Sequence, residues 1–243
     1  MPGLGTLVNV GAILVGGALG LLLKKALSKR LTEAVMQGLG LAVLIVGLSG
    51  AFSSSLSISG TRVSFENTLM MILSLASGAL IGTLLRIEDR LESLSLKLGS
   101  SLRIGDSANF AEGFMAATLL FTVGAMAILG SLEDGINLNT NILFAKSALD
   151  FISAMVFAGT FGAGVLLSAV SVGVYQGLIT ALALFLSGFL TETVISQMTL
   201  IGSVLIIGLS LNMLKLIKIK ISNLLPAIFI PLLYYAFRAL TGI

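Results

Sequence analysis

Long apolar runs separated by short charged stretches set the pattern of this 243-residue chain. A helix needs ~20 mostly apolar residues to cross ~30 Å of hydrocarbon. On that measure the pattern predicts about eight spans, at 4–23, 32–52, 67–85, 110–130, 141–160, 161–190, 194–214 and 223–241. After the third span Ile87, Leu91, Leu94 and Leu98 recur at helical spacing, with Arg86, Glu88, Asp89, Arg90, Glu92 and Lys97 between them. This predicts an amphipathic helix over 86–98, on the membrane surface or continuing the third span, whose charges form a solvated face. A Ser-rich loop over 53–59 precedes the third span, and Glu133, Asp134 and Gly135 read as an acidic turn after the fourth.

The sixth run differs from the others, because 161–190 carries no charge at all. As one straight helix it would extend ~45 Å, too long for the core, while two full crossings and a turn need more residues than it has. A broken or re-entrant span is the expectation, with the break at Gly173 and Gly177, which flank Tyr175 and Gln176. Pro226 falls in the first turn of the last span, and Pro231 is expected to kink it.

Counting 161–190 as one crossing puts eleven basic residues inside (24, 25, 29, 30, 86, 90, 97, 103, 215, 218 and 220) and two outside (62 and 238). Splitting it gives nine against four, so the positive-inside rule prefers eight spans with both termini outside. Leu31-Thr32-Glu33-Ala34-Val35 resembles Leu190-Thr191-Glu192-Thr193-Val194, and Ile45-Val46-Gly47-Leu48-Ser49 resembles Ile206-Ile207-Gly208-Leu209-Ser210. The topology sends these two spans in opposite directions, as in an inverted repeat; letters shared by chance between apolar helices are the competing reading.

Composition fixes the class. Apolar residues make up 56% and charged residues 10%, against ~25% charged in a soluble domain, and the mean hydropathy is +1.09. Too little polar surface exists to cover a water-soluble globule. The expected fold is all-α, a polytopic membrane helical bundle forming a single transmembrane domain over 1–243. Met1–Val8 carries no positive side chain and Lys24, Lys25, Lys29 and Arg30 follow the first apolar run, so that run reads as a span, not a signal peptide. With no Cys and no His, disulfides, thiol nucleophiles, imidazole-held haem, the usual zinc sites and a Ser-His-Asp triad are excluded. No cofactor and no metal site is expected. The net charge of +3 is accounted for by orientation, and no basic stripe interleaved with aromatics supports nucleic-acid binding.

The chemistry must then rest on the few polar groups inside spans. Lys146 and Asp150 are four apart, on one face of the fifth span, and Asp150 lies ~14 Å deep by helical rise. Each such charge costs ~2.5–3.5 kcal/mol on insertion scales and must face protein or a watery cavity. Either the pair neutralises itself and holds helices together, or a solute or proton breaks it. Ser147 and Ser153 neighbour the pair, with helix-to-helix hydrogen bonding as the plainer reading. Gln176 beside the expected break can hold a polar ligand or satisfy freed backbone. Asn9, inside the first span, is a ligand candidate or interhelical glue, and Glu112 a ligand candidate or a charge on a helix N-terminus. Ser147 points to another face than Lys146, which argues against a Ser-Lys enzyme.

Several segments carry a resemblance: Gly5-Thr6-x-x-Asn9, Gly113-Phe114, Gly124 to Ser131, Asp134-Gly135, Lys146-Ser147-x-x-Asp150, Gly162-x-Gly164-Val165, Tyr175-Gln176-Gly177 and Asn223-Leu224-Leu225-Pro226. Together they resemble the bacterial YqgA/YdfK-like membrane family of unknown function, over essentially the whole chain. Ser171 departs from the proline expected nearby in relatives. The resemblance implies a multi-pass protein of the bacterial cytoplasmic membrane and supplies no substrate. The expected function is a secondary transporter or permease for a small polar or charged solute, proton- or cation-coupled, with Lys146, Asp150, Ser147, Ser153, Gln176, Asn9 and Glu112 as its site; a non-transporting scaffold or sensor is the alternative. Expected partners are the lipid bilayer, the solute or ion, and a second copy, for which Gly16 and Gly20 offer a small-residue face.

Overall fold

The computed structural model of the protein describes residues 1–24, 29–59, 62–91, 93, 97 and 107–241. In chain order these form α1 (Leu4–Lys24), α2 (Lys29–Ser55), β1 (Leu56–Ser59), β2 (Arg62–Phe65), α3 (Thr68–Leu84), α4 (Ser107–Thr122), α5 (Ala125–Asn137), α6 (Asn141–Phe161), α7 (Gly164–Ala181), α8 (Ala183–Leu186) and α9 (Glu192–Met213). A 3-10 segment, Ile221–Phe229, then leads into α10 (Ile230–Thr241). The protein is a helical membrane bundle. Among the described residues six helical segments are long and apolar enough to cross a bilayer, and the bent pair α4–α5 makes a seventh. The apolar α3, with 17 residues, is shorter and sits at the lower limit of ~17 for a crossing, against an expectation of about eight spans.

In place of the expected loop over 53–59, Ser53–Ser55 end α2 and Leu56–Ser59 pair antiparallel with Arg62–Phe65, Leu56 opposite Phe65 and Ser59 opposite Arg62. Residues 87–91, 93 and 97 of the expected amphipathic helix are helical; 92, 94–96 and 98 lie outside the described residues.

Two compact units emerge. The first takes Met1–Gln37 and Asp89–Leu186, the second Gly38–Glu88 and Ser187–Ile243. In the first unit, α1 runs parallel to α6 and antiparallel to α7. Gly16 and Gly20 press on the Phe151 and Met155 carbonyls, where a Cβ would collide with backbone, while Gly17 meets Leu166 and Gly173 meets Val10. The small-residue face expected to join two copies is thus occupied within the chain. Gly164 likewise packs directly on the Phe110 carbonyl of α4.

In the second unit, α2 and α9 pack antiparallel, with Gly40 against Leu214, Gly47 against Ile207 and Gly50 against Ser203; Ser210 Oγ donates to the Gly40 carbonyl at 2.8 Å. The two segments with matching letters therefore do run in opposite directions. Gly78 and Gly82 of α3 seat the 3-10 segment at Ala227 and Asn223. Pro226 lies inside that segment, and Pro231 falls in the first turn of α10, where its missing N–H is one of the orphans of a helix start. The expected kink is therefore a change of helix type just before Pro231, not a bend at it.

The expected break at Gly173 and Gly177 is overturned: α7 is continuous from Gly164 to Ala181. The 161–190 run is instead interrupted at its ends, by Gly162–Ala163 and after Ala181. Each helix keeps a full backbone ladder, so the two glycines cost only propensity. The broken span is the fourth, where α4 and α5 meet at 59° across Gly124, whose φ of +131° suits only glycine. The acidic turn is likewise corrected, because Glu133, Asp134 and Gly135 lie within α5, which runs on to Asn137.

Candidate functional site

The first unit builds its polar centre from three helices whose register is set by a two-residue turn. Gly162, at φ +93°, reverses the chain between α6 and α7, a conformation that penalises any Cβ. Asp150 lies 12 residues before Gly162 and Gln176 lies 12 after Gly164. At 1.5 Å per residue both reach the same depth, ~18 Å from the turn. Glycine contacts lock α1 beside α6 and bring Asn9 to that level.

The result is a buried quartet. Lys146 Nζ donates to Asp150 Oδ2 at 2.5 Å, Asn9 Nδ2 donates to the same oxygen at 3.0 Å, and Asn9 Nδ2 also reaches Gln176 Oε1 at 3.4 Å. Asn9 and Gln176 are fully buried, and Lys146 and Asp150 are each only 6% exposed. The Phe121 ring lies 5.9 Å from Lys146 Nζ, within cation–π range. Phe121 is wholly buried and stands three residues before Gly124, so the broken span supplies one wall.

Two polar atoms of the quartet have no partner, Asn9 Oδ1 and Gln176 Nε2. An unsatisfied buried polar group costs ~1–3 kcal/mol, and here a free acceptor and a free donor flank a neutral ion pair.

The remaining expected residues fall elsewhere. Ser147 Oγ is used locally, donating to the Leu143 carbonyl at 2.6 Å. Ser153 is half-buried and makes no hydrogen bond to the quartet. Glu112 lies nine residues before Phe121 on α4, ~13 Å along the helix. Gly173 and Gly177, no longer a break, line a largely apolar groove of about 640 Å³ between α1 and α7, with Thr6, Val10 and Thr180. A Cβ at Gly177 would meet nothing, while one at Gly173 would press on Val10. Among the described residues no group of three acidic side chains could hold a metal ion.

Sequence reasoning missed Phe121, an ordinary aromatic in an apolar run. It also missed Asp134, which is fully buried and accepts the Gly5 N–H at 3.0 Å. A signal for Asp134 was present: Ala127, Ser131 and Asp134 recur at helical spacing on one buried face.

Comparison with known proteins places the chain among membrane proteins of unknown function. The chain is 31% identical over 227 residues to the "Uncharacterized membrane protein YdfK" of Bacillus subtilis (strain 168), covering 93% of each. It is 26% identical over 229 residues to the "Uncharacterized protein YqgA" of Escherichia coli (strain K12), again covering 93% of each. No solved structure matches. Residues 4–236 match the model of the family described as "Protein of unknown function (DUF554)", and the chain belongs to that family.

Proposed function

We propose that the protein is a secondary transporter of a compact polar or charged solute, multi-pass in the bacterial cytoplasmic membrane with both termini outside, and not an enzyme. The observation that carries this reading is the quartet with its two unpartnered atoms. A cluster serving only to glue helices would be expected to satisfy itself, because each orphan costs about as much as a bond returns. A passing solute supplies the missing partners: a donor for Asn9 Oδ1 and an acceptor for Gln176 Nε2. Asp150 is the group that takes up a proton or cation, and Lys146 is its counter-charge, freed toward an anionic solute group when Asp150 is neutralised.

The test is proton or charge flux in pyranine-loaded proteoliposomes, evoked in turn by small carboxylates, ammonium compounds and zwitterions. At least one class is expected to evoke flux, reduced tenfold or more in Asp150→Asn and in Lys146→Met, a loss of about 1.4 kcal/mol or greater. Flux that is unchanged in both variants removes the pair from the mechanism. No flux with any class, together with a stoichiometric co-purifying protein, favours a scaffold.

A further inference from the structure

One turn of α1 above Asn9, a second acid is buried outside the quartet. Asp134 is wholly inaccessible. Its Oδ2 accepts the Gly5 N–H at 3.0 Å, and its Oδ1 has no partner. No basic side chain pairs with it among the described residues, for Lys146 is engaged by Asp150. The α1 N-terminus offers only ~0.5 of a positive charge, so a buried carboxylate here is half-compensated. The Leu143 side chain flanks it at Gly5, and the polar groups on the helices packed against it are oxygens. Thr6, next to Gly5, is 5% exposed and its Oγ1 is unpartnered. Thr180 Oγ1 donates to the Ser131 carbonyl at 3.2 Å, one turn before Asp134, and keeps its lone pairs free. Gly135 brings α5 against the Thr180 carbonyl, where a Cβ would lie 2.5 Å away. Thr6 and Thr180 both line the groove, so two of the three oxygen-bearing side chains stand at its wall.

We propose that this junction of α1, α5 and α7 binds a small monovalent alkali cation, with Asp134 Oδ1, Thr6 Oγ1 and Thr180 Oγ1 as its side-chain ligands. Oxygen-only donors select hard cations. A single carboxylate balances a single charge, whereas a divalent ion would leave an excess positive charge buried among protein atoms. The cation supplies both what Asp134 lacks in charge and what two orphaned oxygens lack in partners. This deepens the transport reading, on which its role as a coupling ion rests, but binding itself is measurable without flux.

The experiment is thermal unfolding of the full chain in detergent, titrated with sodium, potassium or N-methylglucamine chloride at constant ionic strength. Saturating sodium or potassium is expected to raise Tm by about 5 °C over N-methylglucamine, the two alkali ions being distinguished by their half-saturating concentrations. Asp134→Asn abolishes the rise. Thr6→Val, which keeps the volume should Asp134→Asn fail to fold, moves half-saturation about tenfold higher. Equal Tm in all three salts overturns the proposal, as does a rise that survives in Asp134→Asn or is unshifted in Thr6→Val. A rise in a protein that carries no solute flux upholds the cation site while removing the transport reading.

Discussion

Truncating one member of the Lys146–Asp150 pair leaves the other charge bare in a buried setting. That loss costs ~3–5 kcal/mol, whereas replacing both by apolar residues of like volume is often neutral. Lys146→Met and Asp150→Leu are each expected to lower unfolding stability by that amount, and the double variant to return to within ~1.5 kcal/mol of the parent. Chemical unfolding of the four proteins measures this. A double variant as weak as the sum of the singles would show that the two charges are not coupled. The pair itself was legible in the sequence, because opposite charges four apart inside an apolar run fall on one helix face and can neutralise each other there. Its amide partners were visible as isolated polar letters, yet which of them meet is decided by helix register, and no local pattern records that. Asp134 was hidden by its neighbours: Glu133 and Gly135 lend it the look of a turn, while its burial follows from its own contact with Gly5 and that of Gly135 with Thr180, both far along the chain.

Among the elements, glycines separate into those that seal a contact and those that leave a gap. At Gly16 an added Cβ runs into the Phe151 carbonyl, while at Gly177 it meets open space. Gly16→Ala is therefore expected to destabilise by ~1–3 kcal/mol through overpacking. Gly177→Ala should stabilise by ~0.5–1 kcal/mol through helix propensity. Thermal melts of both decide it, and equal shifts would contradict this division. From the letters alone, Gly173 and Gly177 looked like the place where a long run gives way. The run was in fact shortened by Gly162, whose positive φ is a backbone property, and the true mid-span break fell at Gly124. Both sites read simply as glycine in an apolar stretch, so the periodicity that exposed the helices did not tell packing glycines from turning ones.

For the molecule as a whole, the count of basic residues predicts a topology the bilayer can check. The chain contains no cysteine, so single-cysteine reporters need no background removal. Glu66→Cys is expected to react with an impermeant maleimide in intact cells, and Lys218→Cys only after permeabilisation. The reverse pattern would invert the orientation and with it the side from which the groove opens. The helical spans themselves were legible because hydrocarbon thickness fixes span length. The division into two interleaved units was not, since α2 contributes to both. The first unit also constrains how such a molecule can work. With α1 clamped to α6 by bare backbone contact, and α6 tied to α7 by a two-residue reversal, Asn9, Asp150 and Gln176 travel as one piece. The same bare backbone contacts hold the broken fourth span, for Gly164 of α7 packs on the Phe110 carbonyl of α4 and Gly135 of α5 on the Thr180 carbonyl, so the lysine beneath the Phe121 ring is enclosed by elements that glycine ties to one another.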